Sequence, residues 1–146
     1  MRVLFVCTGN TCRSPIAEGL AKLYFSNKID VSSAGIAACD GEVVNKHAVK
    51  VMFAKGVDIK NHRAKKISNK ILVDIDYIVT MTKSQEVFLE DEYPNLEGKI
   101  ICLGDWCGMG KDVSDPWGGS EEVYRQCAVE IEKMIKIIAT KISEQQ

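Results

Sequence analysis

The stretch RVLFVCTGNTCRSP, residues 2–15, decides how this chain folds. Arg2–Cys7 is a nearly continuous apolar run, which is typical of a buried parallel strand. Ser14 can cap a helix and Pro15 suits a first helical position, so a helix is predicted directly after the loop. Backbone N–H groups and the helix dipole favour an anion in a loop of this kind.

A thiol and a guanidinium stand at the two ends of this loop. Cysteine attacks as thiolate, which a helix N-terminus and a neighbouring cation favour, and Cys7 has both a predicted helix and Arg13. The planar fork of arginine can hold two phosphate oxygens. Gly9 permits close backbone approach, Asn10 tolerates a left-handed conformation, and the Ser14 hydroxyl could donate to the thiolate. The loop therefore predicts phosphate chemistry with a cysteine nucleophile.

The remaining sequence alternates short apolar runs with amphipathic patterns. Strands are predicted at 29–34, 76–81 and 99–103, and helices at 44–52, 68–74, 84–92 and from 120 onward. This alternation predicts an α/β fold in one domain, 1–146, with a doubly wound four-stranded parallel sheet and helices on both faces. Ligands bind outside the carboxyl ends of such strands, where Cys7 stands.

Apolar residues at helical spacing predict which faces of two helices are buried. In the first helix the predicted stripe is Ile16, Leu20, Leu23 and Tyr24. In the last helix it is Val123, Cys127, Ile131, Met134, Ile135, Ile138 and Ile142.

A loop is predicted between the fourth strand and the last helix, at 104–119, with five glycines and three aspartates. Long loops in compact domains are often functional. Phosphoryl transfer to sulfur needs an acid for the leaving group and later a base for water. Asp115 is the best candidate, because Pro116 stiffens the backbone after it and Trp117 can wall a pocket. A simple turn into the last helix remains an alternative for this segment.

Composition argues against several classes of function. The net charge is −1 without a basic block, so we expect no nucleic-acid partner, and no apolar stretch has the length of a membrane span. The first apolar run breaks at Thr8, so we expect no secretion signal and a cytoplasmic, reduced protein. The spacings of Cys7 to Cys12 and Cys102 to Cys107 do not fit a zinc site, so neither metal nor cofactor is predicted. We expect a monomer.

Four motifs in order along the chain resemble the low-molecular-weight protein tyrosine phosphatase family. They are residues 6–18 (VCTGNTCRSPIAE), 33–35 (SAG), 62–64 (HRA) and 115–116 (DP). The resemblance implies that Cys7 forms a phosphocysteine, that Arg13 clamps phosphate, and that Asp115 serves as general acid and then base.

The same resemblance implies a phosphate-binding loop and a set of supporting side chains. The loop comprises Thr8, Gly9, Asn10, Thr11, Cys12, Arg13 and Ser14. The hydrogen-bond network expected to hold its shape comprises Asn10, Ser14, Ser33 and His62. The phosphorylated partners implied are proteins.

The residue at position 11 bears on the substrate. Tyrosine-directed members usually have a bulky aliphatic residue at Thr11, another near Thr8 and a tryptophan near Cys39. Thr11, together with the later Asp-Pro-aromatic-Gly-Gly motif, resembles bacterial protein arginine phosphatases. A planar, cationic guanidinium suits a hydroxyl and a carboxylate better than an apolar wall. We predict phosphoarginine as the preferred substrate, with Thr11 and Trp117 as specificity residues, and keep phosphotyrosine as the alternative.

Two further functions stay open. Arsenate reductases of the same fold share the cysteine loop but need two additional cysteines, one of them where this chain has Thr82. The remaining pair here, Cys102 and Cys107, lies elsewhere in the sequence. A non-catalytic anion-binding or partner-binding module is the third possibility.

Cys12 shares the loop with Cys7. A neighbouring thiol can trap an oxidised nucleophile as a reversible disulfide, so Cys7 and Cys12 are predicted as a redox pair. The alternative for Cys12 is a small buried residue. Ordinary buried or partly exposed thiols are predicted at Cys39, Cys102, Cys107 and Cys127.

Overall fold

A parallel sheet of four strands forms the centre of the computed structural model, which describes residues 1–145. The last residue of the predicted domain, 1–146, therefore lies outside the described part. The strands are β1 (Arg2–Cys7), β2 (Asp30–Gly35), β3 (Tyr77–Thr80) and β4 (Ile100–Cys102), in the spatial order β2-β1-β3-β4. Five of the six β1 residues are buried because this strand is central. In the register of β1 with β2, Cys7 pairs with Gly35.

Helices cover both faces of the sheet. They are α1 (Arg13–Tyr24), α2 (Lys46–Ala54), α3 (Asn69–Leu72), α4 (Lys83–Glu92), α5 (Leu103–Trp106) and α6 (Glu121–Glu144), with a 3₁₀ turn at Pro94–Leu96. Helices α1, α2 and α6 pack on the face that carries Val3 and Phe5. The other face, with Leu4 and Val6, packs against residues of α3 and α4. The predicted fold class is confirmed. Within residues 1–145, none of the helices combines the length and apolar character that crossing a membrane requires.

The start of α1 differs from the prediction. The helix begins at Arg13, so Pro15 is its third residue, and Cys12 occupies the cap position without a side-chain hydrogen bond to the helix. Ser14 is not the cap, because its hydroxyl lies 2.9 Å from Cys7 Sγ and accepts a bond from Asn10. The first turn therefore keeps donors for a ligand.

Two positions of the predicted apolar stripes were wrong. Leu23 is 53% exposed, since the neighbouring Tyr24 faces α6 and donates to Glu132 there. Val123 is 42% exposed, whereas Tyr124 is fully buried. Both residues of α6 fit helical spacing, and packing against the cysteine loop selects Tyr124.

The segment after β4 is also more ordered than predicted. Leu103 does not extend the strand but begins the short helix α5, within which Cys107 N donates to the Leu103 carbonyl. The remaining loop is anchored to the sheet, because Val113 N donates to the carbonyl of Met81 directly after β3. This bond holds the loop at the carboxyl edge of the sheet.

Gly35 ends β2 directly beneath the cysteine loop. A Cβ at this position would lie 2.7 Å from the Thr8 carbonyl oxygen and 3.0 Å from Asn10 Cβ. Only a residue without a side chain therefore lets the loop approach the sheet so closely.

Replacing Gly35 by alanine is expected to lower the free energy of unfolding by about 1–3 kcal/mol, since the methyl group must displace backbone. Urea denaturation measures this loss. Gly9→Ala is the control, because a Cβ there would only contact Thr11 Oγ1 at 3.6 Å. The control should change stability by no more than about 1 kcal/mol. Equal destabilisation of the two variants would contradict the packing argument.

Candidate active site

The Cys7 sulfur is buried at the end of β1 and faces two polar groups of the following loop. Ser14 Oγ lies 2.9 Å from Sγ, and the backbone N–H of Asn10 donates to Sγ across 3.3 Å. Asn10 has a positive φ of 57°, a conformation that asparagine adopts more readily than most residues. Donors directed at sulfur stabilise its anionic form. The loop therefore directs a serine hydroxyl and a backbone N–H at the Cys7 sulfur.

Arg13 is buried at the first position of α1, with 5% of the residue exposed. Its Nη1 donates to the Val113 carbonyl at 3.0 Å, and its Nη2 lies 3.7 Å from Asp115 Oδ2. A cation opposes the helix dipole at this end unless an anion is bound. The buried guanidinium and the first turn of α1 together form a site that suits phosphate.

Asp115 lies beside this guanidinium on the loop before α6. Its other oxygen, Oδ1, accepts a hydrogen bond from Trp117 N at 3.1 Å, which orients the carboxylate. The carboxylate itself is more than half exposed, so a substrate can reach it. The Trp117 residue is 76% exposed and forms no pocket wall in this structure, because the turn directs it to solvent.

The other two aspartates of the loop are used elsewhere. Asp112 Oδ1 accepts from Lys83 N at 2.9 Å, and Asp105 pairs with Lys83 Nζ at 3.2 Å. Hydrogen bonds from Cys102 and then Lys83 lower the pKa of Asp105 below its ordinary value. Of the three candidate acids, Asp115 is the one that lies beside Arg13.

The Asn10 side chain connects the predicted supporting residues. Its Nδ2 donates to Ser14 Oγ at 2.8 Å and to Ser33 Oγ at 3.0 Å. Its Oδ1 accepts from Lys65 N at 3.0 Å and lies 3.2 Å from His62 Nε2. The four residues assigned to loop support thus meet in one network, with the fully buried Asn10 at its centre.

Glu18 extends this network and had no predicted role. Ser33 Oγ donates to Glu18 Oε1 at 2.5 Å, and His62 Nδ1 lies 3.7 Å from the same oxygen. Burial lowers the pKa of His62, although the Glu18 carboxylate acts in the opposite direction. The position of Glu18 at the end of the first motif was the available sequence signal.

Gln85 is a second residue that sequence reasoning missed. Its Oε1 accepts from the backbone N–H groups of Met81 and Thr82, while its Nε2 donates to Thr8 Oγ1 at 3.2 Å. Thr82 and Gln85 form a capping box at the start of α4. The spacing Thr-x-x-Gln was its sequence signal, but the reach to Thr8 depends on the tertiary structure.

Thr11 and Cys12 occupy the middle of the loop. Thr11 is half-buried and its carbonyl accepts from Asn45 N at 3.0 Å. Cys12 Sγ lies 3.4 Å from Tyr124 Oη, and burial raises the pKa of the Cys12 thiol. All six cysteines are free, and of the four predicted ordinary thiols only Cys39 is exposed.

One cluster outside the loop could offer three ligands to a metal ion. It consists of Glu86, Cys102 and Asp105 at the end of β4. Lys83 Nζ already lies 2.5 Å from Glu86 and 3.2 Å from Asp105, and these carboxylates raise the pKa of Lys83. The cluster is therefore an ion-pair network around an ammonium group.

Chemically, three side chains of this site have the groups that a nucleophile, a phosphate clamp and an acid require. Cys7 can attack phosphorus, Arg13 can hold two of its oxygens, and Asp115 can exchange a proton with the departing group. These three side chains lie at the carboxyl edge of the sheet, where this architecture binds ligands.

Comparison with known proteins gives a family and close structural matches. The model of a family described as "Low molecular weight phosphotyrosine protein phosphatase" matches residues 2–146. A protein-arginine-phosphatase of Geobacillus stearothermophilus is 34% identical over 146 residues, covering 99% of this chain and 98% of that protein. The low molecular weight protein-tyrosine-phosphatase PtpB of Staphylococcus haemolyticus is 40% identical over 126 residues, covering 86% and 88%. The solved YwlE arginine phosphatase from G. stearothermophilus superimposes with a TM-score of 0.95 at 33% identity, covering 99% of this chain and 94% of the other.

Acidification is expected to destabilise the fold through His62. The folded state lowers the pKa of His62 below the ordinary 6.5, so the unfolded state binds more protons as pH falls through that value. Neutral His62 therefore adds to the free energy of unfolding above about pH 6.5, and this contribution decreases as the pH falls below that value. Replacing His62 by glutamine should make the decline between about pH 7 and pH 5 shallower, as urea denaturation at each pH measures. His47→Gln changes the only other histidine and serves as the control. An unchanged pH dependence in the His62 variant would refute this origin.

Proposed function

The chain belongs to the low molecular weight phosphotyrosine protein phosphatase family, and on that basis we propose that it is a cysteine-dependent protein phosphatase. It hydrolyses phosphorylated side chains of proteins, phosphoarginine in preference to phosphotyrosine, through a phosphocysteine intermediate. The observation that carries this proposal is the convergence of Ser14 Oγ and the Asn10 N–H on the Cys7 sulfur.

In the first chemical step the Cys7 thiolate attacks phosphorus, and the bond from phosphorus to the substrate nitrogen or oxygen breaks. Arg13 holds two phosphoryl oxygens while charge develops on them. Asp115 donates a proton to the departing atom, so that arginine leaves as its guanidinium cation and tyrosine as the neutral phenol. The 3.7 Å separation of Arg13 and Asp115 supports roles for both on one phosphoryl group.

In the second step water attacks the phosphocysteine. Asp115, now deprotonated, accepts the proton of this water, and the phosphorus–sulfur bond breaks to release inorganic phosphate. Cys7 leaves as thiolate, which the Ser14 hydroxyl at 2.9 Å can stabilise. The network around Asn10 keeps both donors in position through the cycle.

The preference for phosphoarginine rests on the chemistry of position 11. Relatives at comparable identity include both arginine and tyrosine phosphatases, so family membership alone does not separate the substrates. The half-buried Thr11 offers a hydroxyl and little apolar area, whereas a phenyl ring needs an apolar slot. The exposed indole of Trp117 can stack on the guanidinium of the substrate, and the Asp115 carboxylate can accept hydrogen bonds from the N–H groups of that guanidinium.

Arsenate reduction is the less favoured alternative. Strand β3 lies between β1 and β4, so Cys102 at the end of β4 is about 10 Å from the strand that carries Cys7. Thr82 is the N-cap of α4, where the reductases resembled here would carry a cysteine. The two further cysteines that such a relay needs outside the cysteine loop are therefore not placed next to Cys7 in residues 1–145.

The wider setting follows from the same proposal. Residues 1–146 act as one phosphatase domain, and the enzyme works as a monomer on phosphorylated proteins. Six free cysteines fit the reducing cytoplasm. A reversible disulfide between Cys7 and Cys12 stays a prediction for oxidising conditions.

Thr11→Ile is expected to shift the substrate preference. The aliphatic side chain adds apolar area for a phenyl ring and removes a hydroxyl, so the ratio of kcat/KM for phosphoarginine to phosphotyrosine peptides should fall by about tenfold or more. Steady-state hydrolysis of two peptides with identical flanks measures this ratio, and Thr11→Ser, which keeps the hydroxyl and adds no apolar area, is the matched control. A wild-type preference for phosphotyrosine, unaltered by the substitution, would overturn the phosphoarginine assignment.

Two variants separate the chemical roles. Cys7→Ser should lower kcat for an aryl phosphate by about 10⁴-fold or more, because the hydroxyl is a far weaker nucleophile. Asp115→Asn should lower kcat by about 10²–10⁴-fold on phosphotyrosine but much less on p-nitrophenyl phosphate, whose leaving group hardly needs a proton. Asp112→Asn is the control for the loop. Equal losses of Asp115→Asn on both substrates would argue against an acid role.

A further inference from the structure

A wide basic groove lies at the β2 edge of the sheet. It encloses about 880 Å³ and is open to solvent. Its lining includes Arg2 of β1, Ser32 of β2 and the segment 63–68. Residues of α3 and of the turn after it, up to Ile75, also line it.

Five basic and two acidic side chains line this groove, which gives it a net charge of +3 in a chain of net charge −1. Arg2 is paired with Asp30. The other four have no ion-pair partner among residues 1–145; they are Arg63, Lys65, Lys66 and Lys70. Unneutralised cations along one concavity attract an acidic ligand.

The two acidic residues do little to offset this charge. Asp40 Oδ1 accepts a 2.7 Å hydrogen bond from Lys66 N, so its carboxylate fixes the wall. Asp74 stands at a positive φ of 62° in the turn after α3. Partly exposed Ile71 and exposed Val73 add apolar surface between the charges. A polypeptide with acidic and apolar side chains matches this mixture better than a uniform phosphate backbone does.

The basic wall is continuous with the cysteine loop. Lys65 N donates to Asn10 Oδ1 at 3.0 Å, and Gly35 N donates to the Lys65 carbonyl at 2.8 Å. The same backbone segment thus supports the loop on one side and lines the groove on the other. Ser32, the β2 residue that lines the groove, lies three residues before Gly35, which pairs with Cys7, so the groove comes within about 10 Å of the carboxyl end of β2.

We propose that this groove binds an acidic segment of the protein substrate, a few residues away from the phosphorylated side chain held at Cys7. The inference rests on the proposed phosphatase function and adds a sequence preference to it. The basic side chains raise the affinity for substrates with aspartate and glutamate about three to six positions from the phosphorylated residue. Nucleic acid is the less favoured occupant, since the net charge of the whole chain is −1.

The test compares two phosphopeptides that differ only in their flanks, one rich in Asp and Glu and the other in Asn and Gln. The acidic peptide should have about a fivefold to tenfold higher kcat/KM at low salt, mainly through KM, and the difference should shrink near 0.5 M salt. The groove variant Lys66→Glu/Lys70→Glu should abolish the difference while leaving p-nitrophenyl phosphate hydrolysis unchanged. The control Lys28→Glu/Lys133→Glu makes the same change in net charge at exposed lysines outside the groove.

Equal kcat/KM values for the two peptides, or a preference that survives the groove variant, would overturn the proposal while aryl phosphate hydrolysis still supported a phosphatase. If neither phosphoarginine nor any phosphate ester is hydrolysed, the proposed function fails, and fluorescence anisotropy with the unphosphorylated acidic peptide still examines the groove. Binding that the groove variant loses would support an acidic-peptide site, and absence of binding would refute it. Single-stranded RNA would be the second competitor. If it displaced the peptide at a lower concentration of negative charges than the unlabelled acidic peptide needs, the groove would be assigned to nucleic acid instead.

Discussion

The hydrogen-bonded side chain of Asn10 is the constraint on which the candidate site depends. The loop must turn sharply after β1 to bring a backbone N–H back onto the Cys7 sulfur, and Asn10 does so with a left-handed backbone. That conformation costs about 1–2 kcal/mol for an ordinary residue. The side-chain amide of Asn10 forms hydrogen bonds with Ser14, Ser33 and Lys65, each worth about 1 kcal/mol net. Together these bonds more than offset the cost of the left-handed conformation. Leaving these buried groups unpaired would cost more than the turn itself.

Competition between hydrogen bonds also explains why α1 lacks a side-chain cap. Ser14 would ordinarily suit that role, but its hydroxyl is shared between Asn10 Nδ2 and the Cys7 sulfur. Arg13 occupies the first helical position and is buried although its charge opposes the helix dipole. A bound phosphoryl group would complement both features, because it accepts from the first turn and neutralises the guanidinium. The missing side-chain cap and the buried cation at the start of α1 therefore both lie where the phosphoryl group is proposed to bind.

Acidic and basic side chains near the candidate site lie in different places, although the net charge of the whole chain is only −1. The acid beside the loop, Asp115, comes from a segment anchored to the sheet at Met81, while the cations at 63–70 lie beyond β2 on the opposite flank. In the proposed function, a substrate bound at Cys7 would have the Asp115 carboxylate on one side and the basic groove on the other. Burial of Cys12 near the Tyr124 hydroxyl raises the pKa of its thiol, which disfavours a thiolate at this second cysteine of the loop.

The sequence by itself determined the sheet, the cysteine loop and its two ends, because burial of a central strand demands an apolar run and the motif is local. It also predicted Ser33 and His62 through family resemblance. The sequence favoured Asp115 among the three aspartates through the residues that follow it, but only the packing of the loop against β3 shows that Asp115 lies beside Arg13 while Asp105 and Asp112 bond to Lys83. The tertiary structure likewise decided that Tyr124 rather than Val123 is buried, and it revealed Glu18 and Gln85 as partners of the loop. Helical spacing allows either Val123 or Tyr124 to face the core. Contacts between residues distant in sequence leave no local pattern in the sequence. Long-range packing is therefore the physical reason why only the tertiary structure decided these features.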